Sequence, residues 1–252
     1  MFGADATASR AVIWDLDGTL TDSEESHWLA WRQVMEEEGI AITRGQFLAT
    51  FGQRNDTVLA GWLGMHANQP QVDRIGAAKE AAFRRLVRTR GCVSLPGALD
   101  WVQRLGRRGW RQAIASSAPR ANIGVMLEAL GIASRFDAIV SSEDVTVGKP
   151  DPQVFLAAAS RLDVPPSRCI VVEGAAAGLE AACRAGMPSI GVRAEGDTLR
   201  ANVFTRSLAD LGDTAFDLLL DEKGLHFQGR DAVAKPPKWR GAIPGNQSAE
   251  EL

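Results

Sequence analysis

Cysteine is scarce in this chain: Cys92, Cys169 and Cys183 are three among 252 residues. That is too few for a disulfide framework, and the spacing matches neither CxxC nor a Cys/His zinc site, so a reducing, cytosolic setting is expected. Positive charge is not in excess either. The 28 lysines and arginines stand against 31 aspartates and glutamates, a formal charge of −3, which provides no general field for nucleic acid or an anionic membrane. An anionic substrate must therefore be caught by local charges. No run of about 18 apolar residues occurs, and the first ten residues, MFGADATASR, hold no apolar stretch of signal-peptide length. The expectation is a cytoplasmic chain that is neither exported nor inserted, a monomer or homodimer. Disorder as the general state is excluded by 45% hydrophobic and 23% charged residues, in a length that suits one large domain or two small ones.

What is present is an alternation. Short apolar, β-branched runs recur at 11–14, 113–115, 138–140, 169–172 and 189–192, with helix-length segments between most of them. Strands that are apolar throughout are covered on both faces, which predicts a parallel sheet with crossover helices. The fold class is therefore α/β, a doubly wound, Rossmann-like core. Helices are expected near 121–130, 152–161 and 175–185, the second opened by an Asp151 N-cap with Pro152 at the first helical position. Between the first and second strands, residues 22–91 show helical spacing and no strand run, with Trp28, Trp31, Met35, Phe83, Leu86 and Val87 on their apolar faces. This is expected to be a helical cap domain over the sheet's end, hinged near 21–23 and 91–95. The core domain would comprise 1–21 and 92–225. From residue 226 to 252 the sequence turns polar and rich in glycine and proline, and is read as a tail.

The chemistry gathers at strand ends. Asp15-Leu16-Asp17-Gly18-Thr19 follows the first strand, placing two carboxylates two residues apart at the carboxyl edge of the sheet, where open α/β folds bind ligands. Such a pair repels, and a cation relieves it, magnesium with oxygen ligands above all. One carboxylate could then attack phosphorus while the other moves protons. The other reading is a calcium loop or an Asx cap. A calcium loop needs acids where Thr19 and Ser26 stand.

Three further positions carry two readings each. Ser116-Ser117 after the second strand suits phosphate oxygens or an ordinary N-cap. Lys149, between Gly148 and Pro150, is a point charge for a phosphoryl group or a solvated loop lysine. Glu173 could give a metal oxygen or merely complement a helix dipole.

These four elements in order, with DLDGTLTDS followed by His27 and Trp31, GKPDPQVF, and GLEAACRAGMPSIGV, resemble the haloacid dehalogenase-like (HAD) hydrolase superfamily. Within it the chain is similar to the subfamily with a helical cap inserted after the first strand, which includes β-phosphoglucomutase and phosphoglycolate phosphatase. The resemblance implies Asp15 as nucleophile and metal ligand, and Asp17 as general acid/base whose backbone carbonyl reaches the metal. It also implies Ser116 and Lys149 on the phosphoryl oxygens, Ser117 beside them, and Glu173 as a magnesium ligand. In the cap, Arg54 and Lys79 would hold the substrate's distal groups, with His27 beside the acid/base. One of Glu143 and Asp144 would orient the lysine. The family's fourth motif normally reads Glu-Asp, whereas Glu173-Gly174 stands here, so one metal carboxylate is missing and weaker magnesium binding is expected.

The function implied is a magnesium-dependent phosphomonoester hydrolase acting on a small phosphorylated metabolite through an aspartyl-phosphate. The alternatives are a phosphomutase of the β-phosphoglucomutase kind and a weakly active or non-catalytic member, as Gly174 would suggest.

Overall fold

The computed structural model describes residues 9–64, 68–192 and 201–221. Six strands form one parallel sheet in the order β3-β2-β1-β4-β5-β6: β1 Ala11–Trp14, β2 Arg111–Ala115, β3 Ala138–Val140, β4 Cys169–Glu173, β5 Ser189–Val192 and β6 Val203–Thr205. The pleat sends alternate side chains to opposite faces, and both faces are packed. Val12, Trp14, Ile114, Ile170, Val172, Ile190 and Val192 enter one buried cluster. Ala11, Ile13, Ala113, Ala115, Val140, Cys169 and Val171 enter the other. That is why these strands read as unbroken apolar runs.

Helices α5 Ala98–Arg107, α6 Arg120–Ala129, α7 Gln153–Leu162, α8 Ala176–Arg184 and α9 Ala215–Asp221 accompany the sheet. β6 and α9 were not anticipated. β6 is three residues long at the sheet's edge, and its Phe204 is exposed, so it carries little apolar signal. The cap of α7 also differs from expectation by one position. Its first helical residue is Gln153, and Asp151 Oδ1 accepts from the Gln153 N–H at 2.9 Å across Pro152.

Between β1 and β2 stand α1 Glu24–Glu37, α2 Arg44–Leu48, α3 Asn55–Leu63 and α4 Gln69–Arg90. Thr43 and Gln46 close a capping box on α2, and Asn68 accepts from the Gln71 N–H at 2.9 Å to start α4. Trp31, Met35, Phe83 and Val87 are buried, while Trp28 and Leu86 pack against them partly exposed. The two segments linking this insert to the sheet pair with each other. The Asp22 N–H donates to Val93 O at 2.8 Å, the Leu95 N–H donates to Leu20 O at 2.9 Å, and Thr21 bridges Ser94.

Among the described residues no helix is long and apolar enough to cross a membrane. The tail expected over 226–252 lies outside the described residues.

Candidate active site

In this strand order the chain runs outward from β1 through β2 to β3, then returns to β4 on the other side of β1. The reversal lies between β1 and β4, and such a point leaves a crevice at the carboxyl ends of the strands. Asp15 follows β1 and Glu173 ends β4, so two carboxylates flank that crevice. Both are buried.

Lys149 joins them. Its Nζ donates to Asp15 Oδ1 at 2.7 Å, to Glu173 Oε1 at 2.7 Å and to Ala115 O at 3.3 Å. The remaining oxygens are also held: Asp15 Oδ2 by the Thr19 hydroxyl at 2.8 Å, and Glu173 Oε2 by the Ala175 N–H at 2.6 Å. Burial, followed by the neighbouring Glu173 charge, outweighs the attraction of Lys149 and pushes the Asp15 carboxyl up to about 7. Burial opposes the Lys149 charge, but the Asp15 and Glu173 carboxylates overcome it and hold the ammonium above the ordinary lysine value.

Asp17 is set differently. Burial opposes its ionisation, yet His27, the Ser23 hydroxyl and the Lys79 charge together hold it below the usual carboxylate range. Ser23 Oγ donates to Asp17 Oδ1 at 2.5 Å, and His27 Nε2 lies 2.9 Å from the same oxygen. With Asp17 ionised, that ring nitrogen is the donor. The imidazole is stacked on Phe83, the ring centroids 3.9 Å apart. Two carboxylates in one site are thus pushed in opposite directions, Asp15 up and Asp17 down.

Two cavities meet at this pair. One, of about 40 Å³, lies under the insert and is lined by Asp15, Asp17, Ser116, Ser117, His27 and Lys79 together with Trp31, Asn55 and Glu80. The other, of about 230 Å³, is lined by Asp15, Asp17, Gly18, Glu24, Glu173 and Gly174. Ser116 is buried at the end of β2, and its Oγ accepts from the Ala118 N–H at 3.0 Å.

Seven of the nine residues anticipated from sequence (Asp15, Asp17, His27, Lys79, Ser116, Ser117 and Glu173) line one cavity or the other, and Lys149 is bonded to two of them. Arg54 does not join them. Its guanidinium donates to the Ser142 and Val145 carbonyls at 2.9 and 3.3 Å and to Asp56, tying the insert to the core. The expected lysine-orienting acid is also corrected. Glu143 accepts from the Arg120 N–H, and Asp144 is occupied by Ser141, Arg120 and Arg161. The residue that orients Lys149 is Glu173.

Two glycines make this possible. A β-carbon on Gly178 would sit 1.7 Å from Glu173 Oε1, and one on Gly174 would sit 2.8 Å from Gly18 O and 3.1 Å from the Thr19 hydroxyl. The loop carrying Asp15 is packed onto the backbone where a second acid was expected. Ser23, Asn55 and Glu80 were not singled out from sequence, and Thr19 only as the end of the Asp15-to-Thr19 motif, not as the hydroxyl that holds Asp15. Thr19 stands four residues beyond Asp15 in a turn where the Leu20 N–H returns to Leu16 O, a signal visible only once that turn is known.

Sheet order, acidic strand ends and a helical insert after β1 define a doubly wound α/β protein with its site at the carboxyl edge of the sheet. The family model for haloacid dehalogenase-like hydrolases matches residues 9–186, and the chain belongs to that family. Hexitol phosphatase B of Escherichia coli O157:H7 is 34% identical over 221 residues, covering 83% of this chain and 96% of that protein. Protein SUPPRESSOR OF QUENCHING 1, chloroplastic, of Arabidopsis thaliana is 37% identical over 190 residues, covering 73% of this chain; the match spans only 18% of that protein's length. The crystal structure of β-phosphoglucomutase from Clostridium difficile superposes with a TM-score of 0.79 at 26% identity, covering 86% of this chain and all of that one.

Proposed function

We propose that the chain is a magnesium-dependent phosphomonoester hydrolase acting on a small phosphorylated metabolite. One observation carries this reading: Asp15, Asp17 and Ser116 line a single cavity at the sheet's carboxyl edge, with Lys149 bonded to Asp15 from behind.

Asp15 attacks phosphorus, forming an aspartyl-phosphate bond as the ester P–O bond breaks. The leaving oxygen takes a proton from Asp17, which is loaded when the anionic phosphoryl group arrives and raises its affinity for a proton. Water then attacks phosphorus, its proton passes to Asp17, and the Asp15–phosphorus bond breaks, releasing phosphate. Ser116, Ser117 and Lys149 hold the phosphoryl oxygens in this scheme. His27 orients Asp17 and, with Ser23, keeps it ionised in the resting site. The mutase reading finds less support, since Arg54 is engaged by core carbonyls and no arginine is among the described residues that line the cavity.

The 230 Å³ cavity suits a hard cation by the chemistry of the oxygens beside it, with Asp15 and Glu173 lining it from the ends of neighbouring strands; the family resemblance would add the Asp17 carbonyl. Among the described residues no three acidic, histidine or cysteine side chains converge as a ligand set, so water must complete the octahedron. When bound, magnesium would neutralise charge developing on the phosphoryl oxygens. A 40 Å³ cavity holds about three waters, so residues 22–91 act as a cap domain that opens at the paired 20–22 and 93–95 segments to admit substrate.

The test is phosphate release from phosphorylated sugars, polyols and organic acids with magnesium titrated from micromolar to tens of millimolar. Hydrolysis that saturates with magnesium supports the reading; no release from any substrate overturns it. The acidic limb of kcat/KM is expected near pH 7 at low magnesium, because protonated Asp15 is no nucleophile. It should move to lower pH as magnesium saturates, since a nearby cation favours the carboxylate. Profiles at two magnesium concentrations check this.

Gly174→Asp does not simply restore the missing acid. Its side chain must displace Gly18 O or the Thr19 hydroxyl that holds Asp15. A loss of about 1–3 kcal/mol of stability, with no gain in turnover, is expected from thermal denaturation and a magnesium titration.

A further inference from the structure

The wall of the 40 Å³ cavity opposite Asp15 is built by the insert, and its charge balance bears on the substrate. Lys79 is the only lysine or arginine among the described residues that line it. That ammonium is not free for an anion. Lys79 Nζ donates to Glu80 Oε1 at 2.9 Å, both side chains being almost wholly buried, and lies over the Trp31 ring at 5.2 Å. Glu80 is fixed in turn by Asn55, whose Nδ2 donates to Oε1 at 2.6 Å, and by Asn122 Nδ2 from the core, which donates to Oε2. Lys79 and Glu80 therefore cancel, with uncharged amides beside the ion pair, and His27, the other titratable side chain of the insert in this cavity, is turned to Asp17. Arg54, the other cation of the insert in this region, is spent on the Ser142 and Val145 carbonyls.

Such a wall has donors and acceptors for hydroxyl groups and no uncompensated positive charge. An anionic group brought against it would have to take Lys79 from Glu80, leaving a buried carboxylate with only the Asn55 and Asn122 amides and facing a like charge. We propose that Glu80 is a specificity determinant that filters substrates by charge. The site accepts phosphomonoesters whose remainder is uncharged and hydroxylated, and rejects those bearing a second phosphate or a carboxylate. This inference rests on the phosphomonoester reading for which end of the cavity takes the phosphoryl group.

Binding separates the two. Calorimetry on the Asp15→Asn protein with magnesium, using glucitol 6-phosphate, 2-phosphoglycolate and glucose 1,6-bisphosphate, reads charge selection without turnover. The polyol phosphate is expected to bind at least about tenfold more tightly than either of the others, like-charge juxtaposition being costly. Adding Glu80→Gln should erase most of that preference by tightening the two doubly anionic ligands, whereas Glu80→Asp, which keeps the charge, should retain it. Melting curves of both variants show whether the fold is kept, and a Gln variant that does not fold leaves the wild-type preference and the Asp variant to decide. Equal or tighter binding of the bisphosphate or phosphoglycolate by the Glu80 protein, a preference unchanged by Gln, or no binding of any of the three overturns the proposal. Selective binding with no hydrolysis by the wild type overturns the phosphatase reading while the filter stands, and hydrolysis without charge selection does the reverse.

Discussion

Asp15→Asn is expected to abolish phosphate release, lowering turnover by roughly 10⁴-fold or more, because an amide cannot form the acyl-phosphate bond on which both half-reactions depend. The substitution is nearly isosteric. Of the two groups that bond the Asp15 oxygens, the Lys149 ammonium can still donate to the amide oxygen, while the amide N–H on the other side donates to the Thr19 hydroxyl, which turns from donor to acceptor. Glu173 continues to hold Lys149 at 2.7 Å, so the lysine keeps a counter-charge. The melting temperature should accordingly change little while activity disappears. Steady-state phosphate release beside thermal denaturation makes the comparison. A variant that retains a tenth of wild-type turnover would remove Asp15 from the chemistry.

Much of the frame behind that experiment was legible in the chain. β1 is apolar at every position because alternate residues enter two different buried clusters. A carboxylate straight after it is therefore exceptional and marks the sheet edge where ligands bind. The insert was legible from helical spacing around Trp31, Met35 and Phe83. What escaped was the direction of charged side chains. Arg54 is a cation in the right part of the insert, but the Ser142 and Val145 carbonyls of a tight turn in the core claim it, and no sequence pattern reveals which carbonyls a turn leaves free. Glu143 and Asp144 stand close to Lys149 in sequence, yet arginines from α6 and α7 draw Asp144 away. Glu173 took the orienting role because Gly178 leaves room for its carboxylate. Gly178 looked like one more small residue in a helix. Glu80 was invisible for a related reason: beside Lys79 in an amphipathic helix it reads as a solvated charge, and only the closed insert buries it against Asn55 and Asn122.

Lys149→Met is the second substitution with a large effect, and it acts on stability as well as on rate. The side chain is about the same length, but its loss leaves the Asp15 and Glu173 carboxylates facing each other with no ammonium between them. Side-chain exposures of 10% and 1% for these two acids give solvent little chance to compensate. Removing one partner of a buried ion pair costs about 3–5 kcal/mol, and in a chain of this size each 1 kcal/mol corresponds to roughly 2–4 °C in melting temperature. The loss depends on pH in a definite direction. Without Lys149 the Asp15 carboxyl, already raised by burial and the Glu173 charge, loses the attraction that held it down and rises further above its unfolded value, so the folded state holds a proton that the unfolded state has released. Stability relative to wild type should then improve as the pH falls from 8 towards 5 and worsen as it rises. Activity follows the opposite course, because the proton that relieves the repulsion blocks the nucleophile. Melting curves and phosphate release across that range test both trends. Magnesium adds a third arm: a cation bound beside Asp15 and Glu173 would replace part of the missing charge, so millimolar magnesium should raise the melting temperature of Lys149→Met by more than it raises that of the wild type. An equal shift in the two proteins would place the cation away from these carboxylates.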